Sequence, residues 1–529
     1  MKKYILAIVV SALSFSNYVF AQSNFGSSSI SVDMSEPIDS RKNYINQIFK
    51  GDDGTLFSIN NVSRNYTLIR YRDDLSEGAS VNLSELMSRN AYIENVVCIN
   101  NGIVVFFSEK DNREKENKLS YMTFDQDDLS VLESTKELSA IKFNSRLNTG
   151  NFDVAVSQDS SKILVYANTP YKRAKDANDE VSVVVLTKDF DLIWEKNITL
   201  PYEEKDFLIM NYNLDNNGNI QILGRLKKER SERKKKTQNY TFHFISYTDE
   251  GKSREEHELK LKENFISSID YTVKEDGNLL CAGLYSKTAE NRASGVFYLE
   301  LEQGTLDVVS ENVEEFGLDF FTEGLSERAA EKLEKKAAKG KEIEFYEFEI
   351  RDLLPNSMGG LTMVAEQYYV YTTTTTTTNS NGTTTTRTVT HYIYNDILVV
   401  EFDETGEVVW KQKIHKYQHT TDDGGYYSGF NLVKNGETLH FFFVTPLSNT
   451  EDIELPEEME GDKKAKKYYH YIHVEVDENG KKQAETLGYI SKKAHRPVVR
   501  ECVSLKDGTS LVFAKGRKTH QIGLLKTEN

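Results

Sequence analysis

One unit recurs from near the start of this 529-residue chain to its end, and it limits what the chain can fold into. The unit is an apolar run, a tight turn built on Asp-Gly or Asn-Gly, and a second apolar run. It reads Ile48 to Phe57 (IFKGDDGTLF), then Ile99-Asn100-Asn101-Gly102-Ile103, Leu214 to Ile220 (LDNNGNI) and Val273 to Leu279 (VKEDGNL). It returns at Val433 to Glu437 (VKNGE) and Leu505 to Thr509 (LKDGT), with degenerate copies at Gln158 to Lys162 (QDSSK) and around Met358-Gly359-Gly360. Asn-Gly and Asp-Gly accept the positive φ angles of a two-residue hairpin turn. The chain therefore carries eight candidate inner hairpins.

A second turn alternates with the first: an apolar residue, Asp, and often Gly. It occurs at Tyr71 to Asp74, Phe124-Asp125, Lys188-Asp189, Thr248 to Gly251, Glu302 to Gly304, Phe402 to Gly406 and Val476 to Gly480. Two alternating hairpins per period make a four-stranded antiparallel blade, which predicts an all-β propeller of eight blades, with seven as the alternative because the third and sixth inner turns are weak. Two separate β-sandwiches are the competing architecture, and the single pattern from end to end weighs against them. The last unit, near Gln521 to Leu525, runs out of chain before its fourth strand. Ser28 to Met34 (SSISVDM) alternates Ile30, Val32 and Met34 on one face. It is expected to pair with the C-terminal strands and cover their edge.

The pattern resembles WD40-like and quinoprotein-like propellers. Phe402 to Trp410 (FDETGEVVW) is similar to the Asp…Thr-Gly-x-x-x-Trp docking motif of quinoprotein-like repeats, and Asp189 to Trp194 (DFDLIW) is a partial copy. That resemblance implies a Trp stitching one blade to the next. It implies a fold and no activity.

Composition removes several function classes. Lys+Arg number 65 against Asp+Glu 82, a formal net charge of -17 that argues against a general nucleic-acid binder. Three cysteines in this length exclude a disulfide scaffold. Cys98, Cys281 and Cys502 read as small apolar residues in inner-hairpin strands, and a Cys98–Cys502 pair stays open. Met1 to Ala21 has a positive start (Lys2, Lys3), an apolar run from Tyr4 to Leu13 and small residues at Val19 and Ala21, so it reads as a signal peptide cleaved before Gln22. No Cys follows that point to carry a lipid, and no later run is long and apolar enough to span a bilayer. Residues 22–529 are then expected to form one propeller domain, exported to the periplasm or cell surface of a Gram-negative-type envelope, or secreted.

The irregular segments fall at the strand-two-to-three loops and the crossovers, which share one face of a blade. They are 108–117, 168–180, 225–238, 286–294, 316–355, 367–391 and 446–467. Loops on a rigid frame are where function concentrates. Thr372 to Thr378 and Thr383 to Thr386 flank Asn379-Ser380-Asn381-Gly382, which predicts a long two-stranded arm. Tyr369, Tyr371, Thr374 and Asn381 are its candidate partner-binding residues, against the plainer reading of a polar hairpin that binds nothing. Arg225, Lys227, Lys228, Arg230, Arg233, Lys234, Lys235 and Lys236 form a basic cluster in an acidic chain, suited to an acidic partner or anionic lipid, or simply a solvated loop. Residues 323–339 predict a short helix with Ser326 as N-cap and Leu325, Ala329, Leu333 and Ala337 on its packing side. Ile343 to Ile350 (IEFYEFEI) predicts an extra strand.

Catalytic chemistry does not emerge. His415 and His419 lack the helix that would align a four-residue spacing, and His470 and His473 would point to opposite faces of a strand. There is no Gly-x-Ser-x-Gly elbow and no phosphate loop. No catalytic, cofactor or metal residue is assigned, and no cofactor is expected. The reading is a non-catalytic binding or scaffold propeller in an envelope complex, by resemblance one of outer-membrane assembly or secretion, with other envelope proteins as partners. The alternative is a propeller enzyme acting on polysaccharide or peptide at the axial mouth, through carboxylates brought together from different blades. A third, weaker reading is a quinone- or metal-dependent oxidoreductase.

Overall fold

The turns adopt the geometry their chemistry allows. Asn100 and Asn101 sit at φ +54° and +58° and join Tyr92–Ile99 to Gly102–Asp111 as a two-residue hairpin. Every predicted inner and outer hairpin lies between antiparallel neighbours. Asp side chains hold many of these turns: Asp215 Oδ1 accepts from the Asn217 and Asn219 amides at 2.8 Å, and Asp403 Oδ1 from the Thr405 and Glu407 amides at 2.9 and 3.0 Å.

The computed structural model describes residues 30–40, 44–63, 65–170, 178–229, 231, 238–261, 264–274, 276–288, 292–446, 468–491, 494–505 and 508–527. The signal-peptide segment, most of the basic cluster and nearly all of 446–467 lie outside them. No described helix is long and apolar enough to cross a membrane.

The fold is all-β and of propeller type, and the chain divides into two compact units. The larger unit is Lys42–Gly429 with Val476–Lys482. Its first sheet runs Tyr44–Lys50, Leu56–Val62, Asn65–Tyr71 and Glu77–Asn82, neighbours in chain order. Sheets 92–142, 151–203, 207–259, 265–315 and 348–414 repeat that order. Alternate residues of facing sheets fill the spaces between them. Phe106, Tyr121, Phe152, Ile163 and Val165 share one such core, and Phe402, Met363, Tyr298 and Leu280 another.

The tryptophans of the docking motif bond to neighbouring turns. Trp194 Nε1 donates to the Gly218 carbonyl at 2.9 Å, and Trp410 Nε1 to the Glu478 carbonyl at 3.0 Å. A Cβ on Gly480 would lie 2.6 Å from the Trp410 ring, so only glycine lets that indole seat.

The smaller unit draws on the described parts of residues 1–41, 430–475 and 483–529. One sheet orders Asn431–Asn435, Thr438–Pro446, Tyr468–Val476 and Lys482–Ser491. In the other, Ile30–Met34 pairs antiparallel with Thr519–Thr527, Ile30 opposite Thr527 and Met34 opposite Gly523. The N-terminal strand thus covers the C-terminal edge, with Ile30, Val32 and Met34 packed on the core.

Four local expectations fail in whole or in part. The 108–117 segment is no insertion: Gly102–Asp111 and Glu116–Asp125 stay paired out to Asp111 and Glu116, and the chain turns between them. The helix expected over 323–339 forms as α2 (Glu327–Ala337), but a further short helix, α1 (Leu318–Thr322), precedes it and the two are parted at Gly324 with φ +72°. Ser326 occupies the N-cap of α2 without a side-chain cap bond, and Leu325 is exposed while Ala329, Leu333 and Ala337 are half-buried. Ile343 to Ile350 is broken at Glu347, φ +40°. Phe345–Tyr346 pairs with Arg292–Ala293, whereas Phe348–Pro355 is the first strand of the next sheet. The insertion therefore ends before Phe348. Finally, Cys502 follows a short 3-10 turn, Val499–Glu501, instead of lying in a strand. All three thiols are free, and burial pushes Cys98 and Cys502 up to about 12.

Candidate functional site

The arm forms as a continuous extension of sheet 348–414. Leu361–Thr378 and Thr384–Phe402 pair antiparallel with one register shift between Glu366 and Tyr368, then residue by residue out to Thr378 opposite Thr384, and Asn379 to Gly382 turn at the tip with Gly382 at φ +80°. From Tyr368 to Thr378 the extension is about 33 Å long at the usual strand rise. Its two faces differ because side chains alternate.

One face is a threonine ladder. Thr374 meets Thr388, Thr376 meets Thr386 and Thr378 meets Thr384, with Oγ1 atoms 3.2, 3.4 and 3.1 Å apart. Such close pairs mark the non-hydrogen-bonded positions of the ladder. The backbone N–H and C=O of Thr374, Thr376 and Thr378 therefore point away from the partner strand. Among the described residues no further strand pairs with that edge beyond Gln367.

The other face carries an aromatic and imidazole row. Tyr346 and Tyr369 meet edge to face at 5.2 Å, Tyr369 and Tyr371 are 6.2 Å apart, and Tyr371 stacks on His391 at 4.4 Å. His391 lies 2.8 Å from Thr373 Oγ1 through Nε2 and 2.9 Å from His419 Nε2 through Nδ1. Arg292 covers the Tyr346 ring at 5.4 Å. Tyr346 and Tyr371 remain more than 40% exposed.

A third strand that the sequence pattern did not reveal, Gln418–Thr421, pairs with His391–Tyr394 and braces the arm's base. Beneath it lies a buried ion cluster. Lys416 Nζ contacts Glu366 Oε1 at 2.6 Å and donates to the Tyr394 carbonyl and Gln418 Oε1, each at 3.1 Å. Arg351 completes it, with Nη2 and Nε 2.9 and 3.0 Å from Glu366 Oε2. Burial holds Lys416 below the usual lysine range, and Glu366 partly offsets this.

The predicted arm residues are not one site. Tyr369 and Tyr371 share the aromatic face, Thr374 lies on the opposite face, and Asn381 sits in the tip turn, its Oδ1 accepting from the Thr383 amide. Sequence reasoning missed Tyr346, His391 and His419. The basic cluster is described only at its root. Arg225 covers the Tyr240 ring at 5.1 Å, and the Lys227 and Lys228 amides bond the Asp206 and Asn239 carbonyls. Arg230, Arg233, Lys234, Lys235 and Lys236 lie outside the described residues. No described contact joins this cluster to the arm.

In the smaller unit, neighbouring strands bring together a group that sequence spacing concealed. His440, on Thr438–Pro446, places Nδ1 3.0 Å from Nε2 of His473, on Tyr468–Val476. Glu475 reaches within 4.0 Å of His440 Nδ1, and Glu485 Oε1 is 2.8 Å from His473 Nδ1. Burial, then His473, keeps His440 neutral with a pKa near 4. His470 points to the other face, where its Nδ1 is 3.4 Å from Thr486 Oγ1, as the strand period requires.

No family model matches the chain, and no curated protein matches it. Solved structures similar to it include the WD40 domain of SCAP from fission yeast, at 9% identity and a TM-score of 0.39 over 94% of each chain. The propeller domain of the Trilobed protease from Pyrococcus furiosus shares 10% identity at a TM-score of 0.32, over 86% of this chain and 95% of that one. Drosophila Plexin A, in a complex with Semaphorin 1b, shares 8% at 0.30, over 93% and 88%. Likeness at this level carries no argument about activity or partner, and the fold is read from the strand pairing itself.

Proposed function

We propose that this chain is an exported, non-catalytic binding module of a bacterial cell-envelope complex, in outer-membrane assembly or secretion, and that the arm is its capture surface. One observation carries the reading: two strands run about 20 Å beyond the last described strand that pairs with them, with an edge that no described strand covers and an exposed Tyr–His row on one face. Unpaired edges invite pairing with another chain, and native proteins normally cover or charge them. Here the edge is threonine, which favours strands and carries no charge. The partner this suits is an extended segment of another envelope protein, held by main-chain bonds and seated against Tyr369 and Tyr371.

The test is affinity isolation from the native envelope with the full chain and with a variant lacking residues 372–390. Loss of a specific co-purifying protein on deletion, with the rest folded, supports the reading. A free monomer at every salt concentration overturns it.

A second reading, hydrolysis of polysaccharide or peptide, rests on Asp352. Burial raises this carboxyl to about 6, Arg351 opposes the shift and Asp270 of the neighbouring sheet adds to it. A carboxyl held part-protonated near neutrality suits acid catalysis. Hydrolysis by the wild-type chain that Asp352→Asn abolishes would favour it over the binding module.

A further inference from the structure

We propose that His440, His473 and Glu475 form a binding site for a divalent transition-metal ion of the zinc class, with Glu485 fixing His473 in the ligating tautomer. The donors come from two adjacent strands of the smaller unit. His473 and Glu475 are two residues apart on one strand and so share a face, and His440 lies across from them. All three donor atoms lie within 4.8 Å of one another.

The tautomer follows from the hydrogen bonding. Glu485 accepts at His473 Nδ1, 2.8 Å away, so the proton sits there and the Nε2 lone pair faces His440 Nδ1. A carboxylate behind a ligating imidazole is the usual outer-shell arrangement at metal sites. The two imidazole planes are nearly parallel, 16° apart, and His440 Nδ1 faces His473 Nε2 at 3.0 Å. At bond lengths of about 2.0–2.1 Å, two tetrahedral nitrogen ligands lie roughly 3.3 Å apart. The observed 3.0 Å needs a shift of only a few tenths of an ångström.

The surroundings hold the ligands in place. His440 and His473 are 3% and 2% exposed, and Phe442 stacks on His473 at 4.9 Å. Glu475 is one-third exposed and gives the ion a route from solvent. Two imidazoles and one carboxylate suit zinc and its neighbours; magnesium and calcium prefer all-oxygen shells. Three protein ligands leave the fourth position to water. The proposal is independent of the arm.

The full chain, stripped with a chelator, is titrated with Zn2+ by calorimetry and with Co2+ by absorption. One ion per chain and tetrahedral Co2+ bands are expected. His440→Gln and His473→Gln should each abolish binding, and Glu485→Gln should weaken it roughly 10- to 100-fold. His257→Gln, on a different sheet, should leave it unchanged. If the variants do not fold, wild-type crystals soaked in Zn2+ decide by anomalous scattering. A peak between His440 and His473 supports the site. No bound ion, or an ion only at the exposed His391–His419 pair, overturns the proposal and leaves His440 and His473 as a hydrogen-bonded pair.

Discussion

Lys416→Met should destabilise the chain by about 3–5 kcal/mol, the cost of removing one partner from a buried ion pair. The structure allows the magnitude to be refined. Lys416 is fully buried, and its Nζ serves three acceptors: Glu366 Oε1, the Tyr394 carbonyl and Gln418 Oε1. Gln418 Oε1 keeps the Gly429 amide at 2.8 Å, and a buried acceptor that loses its last donor costs about 1–3 kcal/mol. Glu366 keeps Arg351 at 2.9 Å, so its charge is not abandoned, which places the loss toward the lower end. Met fills most of the volume and limits the cavity term. The double variant Lys416→Met/Glu366→Gln should recover less than about 1 kcal/mol, because Arg351 already balances Glu366 in the single variant and loses that partner in the double. The assay is denaturant unfolding, combined with amide exchange on Gln418–Thr421, which should lose protection first. A Lys416→Met chain within about 0.5 kcal/mol of wild type, with that strand still protected, would refute the claim that this lysine anchors the arm.

Three further outcomes follow. Thr376→Pro removes an N–H that points off the arm's free edge and spares the hairpin's own bonds, so envelope partner capture should fall roughly tenfold while circular dichroism stays unchanged. Gly480→Ala forces a methyl to within 2.6 Å of Trp410 at a residue with φ +76°, and the denaturation midpoint should drop by about 1–3 kcal/mol equivalent. Burial lowers His470 and His520 to about 4 from the ordinary 6.5, so the unfolded chain binds more protons between those values and stability is lost as pH falls through that window. Each contributes about 3 kcal/mol. In urea titrations across that window His470→Gln/His520→Gln should lose about 6 kcal/mol less stability than the wild-type chain.

What could be read from the sequence was whatever local chemistry decides. Asn100-Asn101-Gly102 specifies its hairpin without help from the rest of the chain. Ile30, Val32 and Met34 announce a half-buried strand by period, and the missing C-terminal partner indicated where it goes. The arm was visible because β-branched runs flank a turn signal. Its faces were visible too: Tyr369 and Tyr371 have one parity and Thr374 the other, and that parity alone separates them across a strand. What the pattern concealed depends on packing between segments. Gln418–Thr421 becomes a strand only because His391–Tyr394 offers it an edge and Lys416 neutralises the ground beneath. Ile343 to Ile350 alternates as a strand should, yet Glu347 turns the chain so that Phe345 and Phe348 enter one aromatic cluster from two strands. His440 and His473 are 33 residues apart, on strands whose connection, 447–467, carries no motif. Spacing along one strand correctly separated His470 from His473. It had no means of supplying His440, because the ligand that matters is set by register between strands, and register is fixed by the whole sheet.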